Sequence, residues 1–342
     1  MTARRPRGRA AAGVVLGARA LGACLAGACA GAPTYMHGYG EAARREASLG
    51  WGLTAVSLVV SAVVAAIVLA ACLRRRPSDE AMLRSRGGVR WIVVGGIVVP
   101  TVILAVAFVF TLGTLAATAA PARPPAFTAA VVGHEWWWEV RYRGDSTSDT
   151  FLDADELHVP VGRPVRLELS TADVIHSFWV PQLAGKTDLI PGQRNAAWIE
   201  ADTPGVYWAH CAEFCGTQHA NMALRVVAHP AAEFAAWRAR ARGDAVAPAT
   251  ADATAGYNAF MGSACTLCHA IRGTPAQGRN GPDLTHVGSR LRIAGGMLAN
   301  TRGNLQGWIA NPQALKPGSA MPTVELSSAD LQAITTYLQS LK

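Results

Sequence analysis

Charged residues are scarce in this sequence, at 16% of its 342 residues, where soluble domains average about 25%. The deficit is concentrated in two places. No Asp, Glu, Lys or Arg occurs from Ala47 to Leu73, and none from Trp91 to Ala122. Each run exceeds the roughly 20 apolar residues that carry a helix across a bilayer, and buried helices of soluble proteins are rarely that long without a charge. The net charge of +8 does not indicate a nucleic-acid partner, because its distribution is lopsided. Residues 1–120 hold 13 Lys+Arg against 4 Asp+Glu, a net of +9, while residues 121–342 hold 18 against 19, a net of −1. The basic excess therefore flanks the apolar runs, where it reads as membrane topology.

Between the two runs lies Arg74–Arg90, with six Arg and two acids. The positive-inside rule puts this loop in the cytoplasm, so both ends of the helix hairpin face outward. Spans are predicted at about 49–73 and 91–117 within a hairpin of residues 30–120. Pro100 in the second span is tolerated where neighbouring groups satisfy the freed carbonyl. Before the hairpin, Arg4, Arg5, Arg7 and Arg9 precede an apolar run ending in small residues, which reads as a secretory signal over residues 1–29. Cys24 and Cys29 each follow Gly-Ala and offer two alternative lipidation points.

After Pro121 the pattern changes to short alternating runs punctuated by Gly and Pro: Val131–Val140, Glu156–Val161, Pro164–Leu169, Ala196–Glu200, Val206–Ala209 and Ala223–Val227. That is how a β-sandwich or barrel reads, here over residues 121–230. Near its end stands Tyr207–Met222, which gathers Cys211, Cys215, His219 and Met222 in one loop. Two thiolates, an imidazole and a thioether form a soft ligand set that favours copper. His176, thirty-five residues before Cys211, is the candidate that closes the shell. The second thiolate exceeds the needs of a mononuclear blue site, so the arithmetic favours a dinuclear centre; the alternative is a CxxxC disulfide beside unrelated His and Met residues.

The pattern C-x-E-x-C-x-x-x-H-x-x-M with an upstream D-V-x-H-S resembles the CuA domain of cytochrome c oxidase subunit II. The resemblance implies a cupredoxin-like Greek-key sandwich, with Cys211 and Cys215 bridging two coppers and His176, His219, Met222 and the Glu213 carbonyl completing the shell. It also implies that the Glu213 carboxylate helps to bind Mg²⁺ where subunit I docks, with Asp173, Lys186, Asp188 and Arg194 in the polar network there. Gly133–Glu139 resembles the family's aromatic stretch, in which Trp136 conducts electrons toward the copper. Three adjacent Trp cannot share one face of a strand, so at least one must be exposed or at an interface. The family usually has Gln where Glu135 stands. Many relatives also carry a Glu at the cytoplasmic start of the second span, and Trp91–Pro100 has no acid. His134, His158 and His210 read as ordinary strand or interface residues. The acids Asp145, Asp149, Asp153, Asp155 and Glu156 read equally as a solvated loop or as a surface steering a basic cytochrome.

Residues 231–254 are Ala-rich and read as a short helix around Glu233–Arg242 followed by a flexible linker. The final segment, residues 255–342, opens on Cys265-Thr-Leu-Cys-His269. C-x-x-C-H is the c-type haem attachment signature, with Cys265 and Cys268 as thioether anchors and His269 as the proximal ligand. Met321, fifty-two residues further on within Lys316–Pro322, is the candidate second ligand, with Met297 as the alternative. Gly281–His286 resembles the segment of class I cytochromes c in which a Pro carbonyl, here of Pro282, orients the proximal His. Leu305–Pro312 and Ser327–Leu341 read as flanking helices, the latter with Ser327 as N-cap. The seven Cys are then accounted for: four in the two centres, Cys24 and Cys29 near the start, and Cys72 at the end of the first span. No pair is left for a structural disulfide.

Taken together, these parts resemble subunit II of a caa-type oxidase over about residues 33–342. The expected architecture is a multi-domain bacterial inner-membrane protein. It comprises a two-helix transmembrane hairpin, a periplasmic cupredoxin-like sandwich and an all-α class I cytochrome c domain. Its cofactors would be dinuclear copper and haem c. Its partners would be subunit I and other oxidase subunits, with cytochrome c or quinol–cytochrome c reductase as donor. A tethered copper chaperone of the thioredoxin-like type also uses CxxxC and a distant His, but usually has Pro where Gly216 stands. A nitrous oxide reductase would need a His-rich propeller domain that this chain lacks.

Overall fold

The computed structural model describes residues 34–74, 87–144 and 150–342. The segment read as a signal with Cys24 and Cys29, most of the arginine-rich loop, and Asp145 and Asp149 lie outside the described residues.

The first apolar run forms helix α1 (Glu41–Leu73). It starts earlier than the expected span because a polar turn containing Arg44 and Glu46 is held on the sandwich. Glu46 accepts from the Gly185 amide at 3.1 Å, and Arg44 pairs with Asp202. The second run forms α2 (Gly87–Val93), a π-helical turn (Val94–Val98) and α3 (Val99–Thr118). Pro100 has no N–H for the Gly96 carbonyl and its ring crowds that position. The wider turn immediately before it, where the Val99 amide bonds to the Val94 carbonyl, absorbs the mismatch. Both helices are long and apolar enough to cross a membrane. Leu58, Ile67, Phe108 and Phe110 point outward uncovered. An apolar surface all round a helix suits lipid. At the sandwich, the indole of Trp198 donates to the Thr118 carbonyl at 2.8 Å, and Tyr39 packs on Tyr207.

The alternating runs form two five-stranded sheets. One has the order β3-β2-β1-β5-β8 and the other β4-β10-β9-β6-β7. The first comprises β1 (Thr128–His134), β2 (Trp137–Tyr142), β3 (Phe151–Ala154), β5 (Val165–Thr171) and β8 (Asn195–Ile199). The second comprises β4 (Glu156–Pro160), β6 (His176–Trp179), β7 (Thr187–Leu189), β9 (Gly205–Cys211) and β10 (Ala223–His229). Parallel β1–β5 and β4–β10 pairs among antiparallel neighbours give a Greek-key, cupredoxin-like sandwich. Its core includes Val131, Trp138, Leu157, Leu167, Leu189 and Leu224.

The Ala-rich stretch opens on the short helix expected around Glu233–Arg242. Helix α4 (Ala231–Ala241) lays Trp237 against His158, His229 and Tyr142. Beyond it, the Ala245 amide donates to the Arg272 carbonyl at 3.0 Å, and the Arg272 guanidinium donates to the Ala241 carbonyl at 2.5 Å. The boundary expected at 254/255 falls inside helix α5 (Ala251–Met261), which Thr250 caps through the Ala253 amide. Residues 242–250, within the stretch read as linker, carry no helix or strand, and helix resumes only at Ala251.

Helix α5 packs on α9 (Ser328–Ser340), whose N-cap is Ser327 as expected. Between them in sequence lie α6 (Cys265–Cys268), the hairpin β11 (Arg292–Ile293) and β12 (Leu298–Ala299), α7 (Arg302–Ala310) and α8 (Pro312–Leu315). Phe260, Ile271, Leu305, Ile334, Tyr337 and Leu338 form this domain's own core.

Candidate metal and haem centres

Residues 212–222 form the loop between antiparallel strands β9 and β10, and β6 runs beside β9. This register brings His176, at the start of β6, to the buried end of β9 where Cys211 lies. The sulfurs of Cys211 and Cys215 stand 3.7 Å apart. His176 Nδ1 lies 3.8 Å from Cys211 Sγ, and His219 Nδ1 lies 3.5 Å from Cys215 Sγ. Met222 Sδ is 3.8 Å from Cys215 Sγ, and the Glu213 carbonyl is 3.1 Å from Cys211 Sγ. All six residues singled out from the sequence therefore converge. His176, Cys211 and Cys215 also form a compact group able to hold a metal ion.

Local chemistry prepares these donors. Asp173 accepts from His176 Nε2 at 2.7 Å, which fixes the tautomer that leaves Nδ1 facing the sulfur. Burial works against a charged His176, but Asp173 and the neighbouring thiolate outweigh it and push its pKa up to about 9. The Cys215–Cys211 hydrogen bond draws the Cys211 thiol below the usual thiol range, against burial, and holds the Cys215 thiol up. Metal binding requires both sulfurs as thiolates, so loading the site releases protons. The donor set fits copper: two soft thiolates that can bridge, two imidazoles, a thioether and a carbonyl.

Trp136 and Trp138 are buried, whereas Trp137 is half-buried and stacks on His134 at 4.3 Å. The Trp136 indole donates to the Cys215 carbonyl at 2.7 Å. Its ring lies over Gly216 (φ +111°), where a Cβ would come within 2.9 Å of the ring. On the far side of the loop, Glu213 and Phe214 are exposed, the latter by 75%. Lys186 and Arg194 are also exposed, and Asp188 is half-buried.

In the helical domain, His269 Nδ1 donates to the Pro282 carbonyl at 2.8 Å, leaving Nε2 free as an iron ligand. Burial lowers the pKa of His269, keeping it neutral as ligation requires. A Cβ on Gly281 would sit 2.7 Å from that ring, so the residue before Pro282 must be small. Cys265 and Cys268 are unbonded and half-buried. Their C-x-x-C-H spacing fits covalent haem attachment. Met321 is half-buried in a loop held by Gln313, which donates to the Met321 carbonyl at 2.8 Å. Met297 sits in the β11–β12 turn, where its carbonyl accepts from Arg292.

Several residues that meet across the two domains drew no notice, or a different reading, in the sequence. Lys316 Nζ donates to the carbonyls of Trp136, Asn221 and Ala294. Burial pulls its pKa down to about 8. Asp155 is not solvated: Oδ1 receives the Trp138 amide at 2.9 Å and Oδ2 the Gly295 amide at 3.0 Å. Asp153 takes Arg290 Nε at 3.0 Å, and Glu156 takes the Leu291 amide at 2.5 Å. The described part of the acidic run thus holds the chain's own haem domain. One signal for Lys316 was available, since it is one of only three lysines among 31 basic residues.

Comparison with known proteins agrees with this architecture. The family described as "Cytochrome C oxidase subunit II, periplasmic domain" matches residues 145–229, and the cytochrome c family matches residues 253–342. Cytochrome c oxidase subunit 2 of Alkalihalophilus pseudofirmus is 36% identical over 299 residues, covering 84% of this chain and 85% of that protein. The same subunit of Bacillus sp. strain PS3 is 34% identical over 224 residues, covering 62% and 61%. Among solved structures, the periplasmic domain of subunit II of cytochrome oxidase from Bradyrhizobium japonicum is 28% identical. It covers 36% of this chain and 97% of that one, with a TM-score of 0.33.

Two apolar helices, a cupredoxin-like sandwich and a cytochrome c domain define a membrane-anchored oxidoreductase subunit. Similarity along most of the length makes the assignment specific. The chain belongs to the cytochrome c oxidase subunit II family.

Proposed function

We propose that this chain is subunit II of a caa-type oxidase. It receives electrons from cytochrome c or quinol–cytochrome c reductase and passes them to the catalytic subunit I, which reduces oxygen to water with proton translocation. The observation that carries this reading is the convergence of His176, Cys211, Cys215, His219 and Met222 on one loop, with Trp136 bonded to Cys215. When bound, haem c and dinuclear copper would supply two one-electron carriers.

The chain's residues set up both carriers. Cys265 and Cys268 would anchor the haem, and His269 and Met321 would hold its iron, a ligand pair that favours the reduced state. Pro282 orients His269 through the Nδ1 bond. Cys211, Cys215, His176, His219, Met222 and the Glu213 carbonyl would hold the copper. Trp136 would admit electrons to that loop. The Glu213 carboxylate is exposed and accepts the Phe214 amide at 3.1 Å; it would help to bind Mg²⁺ where subunit I docks. Sandwich and haem domain would lie outside the cytoplasmic membrane, with the arginine-rich loop inside.

Metal analysis and EPR of the purified full-length chain test the reading. Two coppers per haem with a mixed-valence signal are expected. One copper per haem with an ordinary four-line signal would refute the dinuclear centre.

A further inference from the structure

Contacts between the haem domain and the copper loop centre on one buried cation. Lys316 is only 2% exposed. Its Nζ donates to the carbonyls of Trp136 at 2.7 Å, Asn221 at 2.9 Å and Ala294 at 2.9 Å. An ammonium has three N–H donors, and all three are used. The acceptors belong to three separate segments: the aromatic stretch, the turn between His219 and Met222, and the haem-domain hairpin. Pro317 accepts from Gln218 Nε2 at 2.9 Å. A Cβ on Gly318 would lie 3.6 Å from the Trp136 ring. Three residues further on is Met321, while the opposite edge of Trp136 bonds to Cys215. A continuous path of bonds and contacts therefore links the Met321 segment, Lys316, Trp136 and the Cys215 carbonyl.

We propose that Lys316 is a positioning residue for electron transfer between the two domains. Its ammonium clamps the Met321-bearing segment against Trp136 and so fixes the gap that electrons cross. This inference rests on the function proposed above. Lys316 touches neither haem nor copper ligands; it acts through the main chain on either side. The clamp is specific in charge and length, because a neutral or shorter side chain leaves buried carbonyls unpaired.

The test uses the full chain assembled in its oxidase, with Lys316→Gln and, as an independent perturbation of the same contact, Gly295→Ala. At Gly295 (φ +70°) a Cβ would come within 2.3 Å of the Trp136 carbonyl and 2.4 Å of Lys316 Nζ. Three quantities are measured: the rate of copper reduction by haem c after rapid haem reduction, the haem potential with the copper spectrum, and hydrogen exchange at the Ala223 and Gly295 amides. Those amides bond to the Gly295 carbonyl and to Asp155 across the interface.

Both variants are expected to slow internal transfer roughly tenfold or more, as small misplacements do in positioned reactions. Exchange at the two amides should accelerate, while the haem potential, copper spectrum and donor reaction stay unchanged. An unchanged internal rate, even with faster exchange, overturns the inference, because Lys316 would then serve stability alone. A slower rate accompanied by a shifted potential or copper spectrum also overturns it. If the unmodified protein shows no haem-to-copper transfer, the function proposed above fails, and this inference falls with it.

Discussion

The indole N–H of Trp136 donates to the main-chain carbonyl of Cys215 at 2.7 Å, tying the aromatic stretch to the ligand loop 79 residues away. The same loop meets the haem domain through Gln218, which donates to the Pro317 carbonyl, while Phe214 within it is exposed.

Replacing Trp136 with Phe removes this donor and leaves a buried carbonyl without its partner, at a cost of about 1–3 kcal/mol. Internal transfer from haem to copper should slow, while the reaction with the external donor keeps its rate. Stopped-flow reduction at several salt concentrations separates the steps, since an exposed donor interface is screened by salt and a buried contact much less so. Equal internal rates in Trp136→Phe and the unmodified protein would remove Trp136 from the path.

Cys215→Ser should abolish the mixed-valence copper signal and leave haem attachment intact, since the haem Cys residues lie in a separately packed domain. EPR together with the haem optical spectrum reads both at once. Retention of a two-copper spectrum would show that Cys215 is not a bridge.

Met321→Ala should keep the haem covalently bound but lower its potential, because a thioether ligand favours ferrous iron. Met297→Ala should leave the potential unchanged, as its segment is occupied in the turn that meets the copper domain. Redox titration of the two variants distinguishes the candidates, and the reverse pattern would exchange their roles.

Burial raises the pKa of Asp155 from 3.8 to about 6, partly opposed by its amide partners, Lys316 and Arg290. A raised carboxyl pKa means that the folded state binds the proton more tightly than the unfolded state. Its stabilising contribution is therefore complete below the unfolded value and lost as pH rises to about 6. Asp155→Asn should flatten that part of the stability profile. Asn also tolerates the left-handed backbone at this site (φ +61°). Thermal unfolding from about pH 4 to pH 7 measures the difference, and parallel profiles would locate the titration elsewhere.

The two centres could be read from the sequence because their chemistry is local. Cys211 to Met222 is a single hairpin loop, and Cys265 to His269 a single helical turn, so spacing together with the family resemblance picks out the candidate donors. His176 required a longer step, and the recognisable sequence around it supplied it. The contacts joining the domains offered no such help. Lys316 meets Trp136 across 180 residues, Asp155 meets Gly295 across 140, and Arg290 meets Asp153 across 137. Each of these residues taken alone is an ordinary surface type, and nothing in its neighbours marks it as buried. The short strands Phe151–Ala154, His176–Trp179 and Thr187–Leu189 escaped for another reason: at three or four residues they are too brief to show alternation. In the Ala-rich joint the helix bearing Trp237 is legible from composition, whereas the Thr250 cap that starts the next helix before residue 255 is not.

On the function proposed above, the contacts of that joint would decide how the two centres meet. A loose tether would bring the haem to the copper by repeated encounters, and its length would set their frequency. Here Trp237 fastens one end of the segment to the sandwich and Arg272 fastens the other to the haem domain, so no encounter has to recur. On the function proposed above, transfer between the centres would then depend on a standing geometry rather than on donor concentration. Only the arrival of an electron from outside would depend on collision.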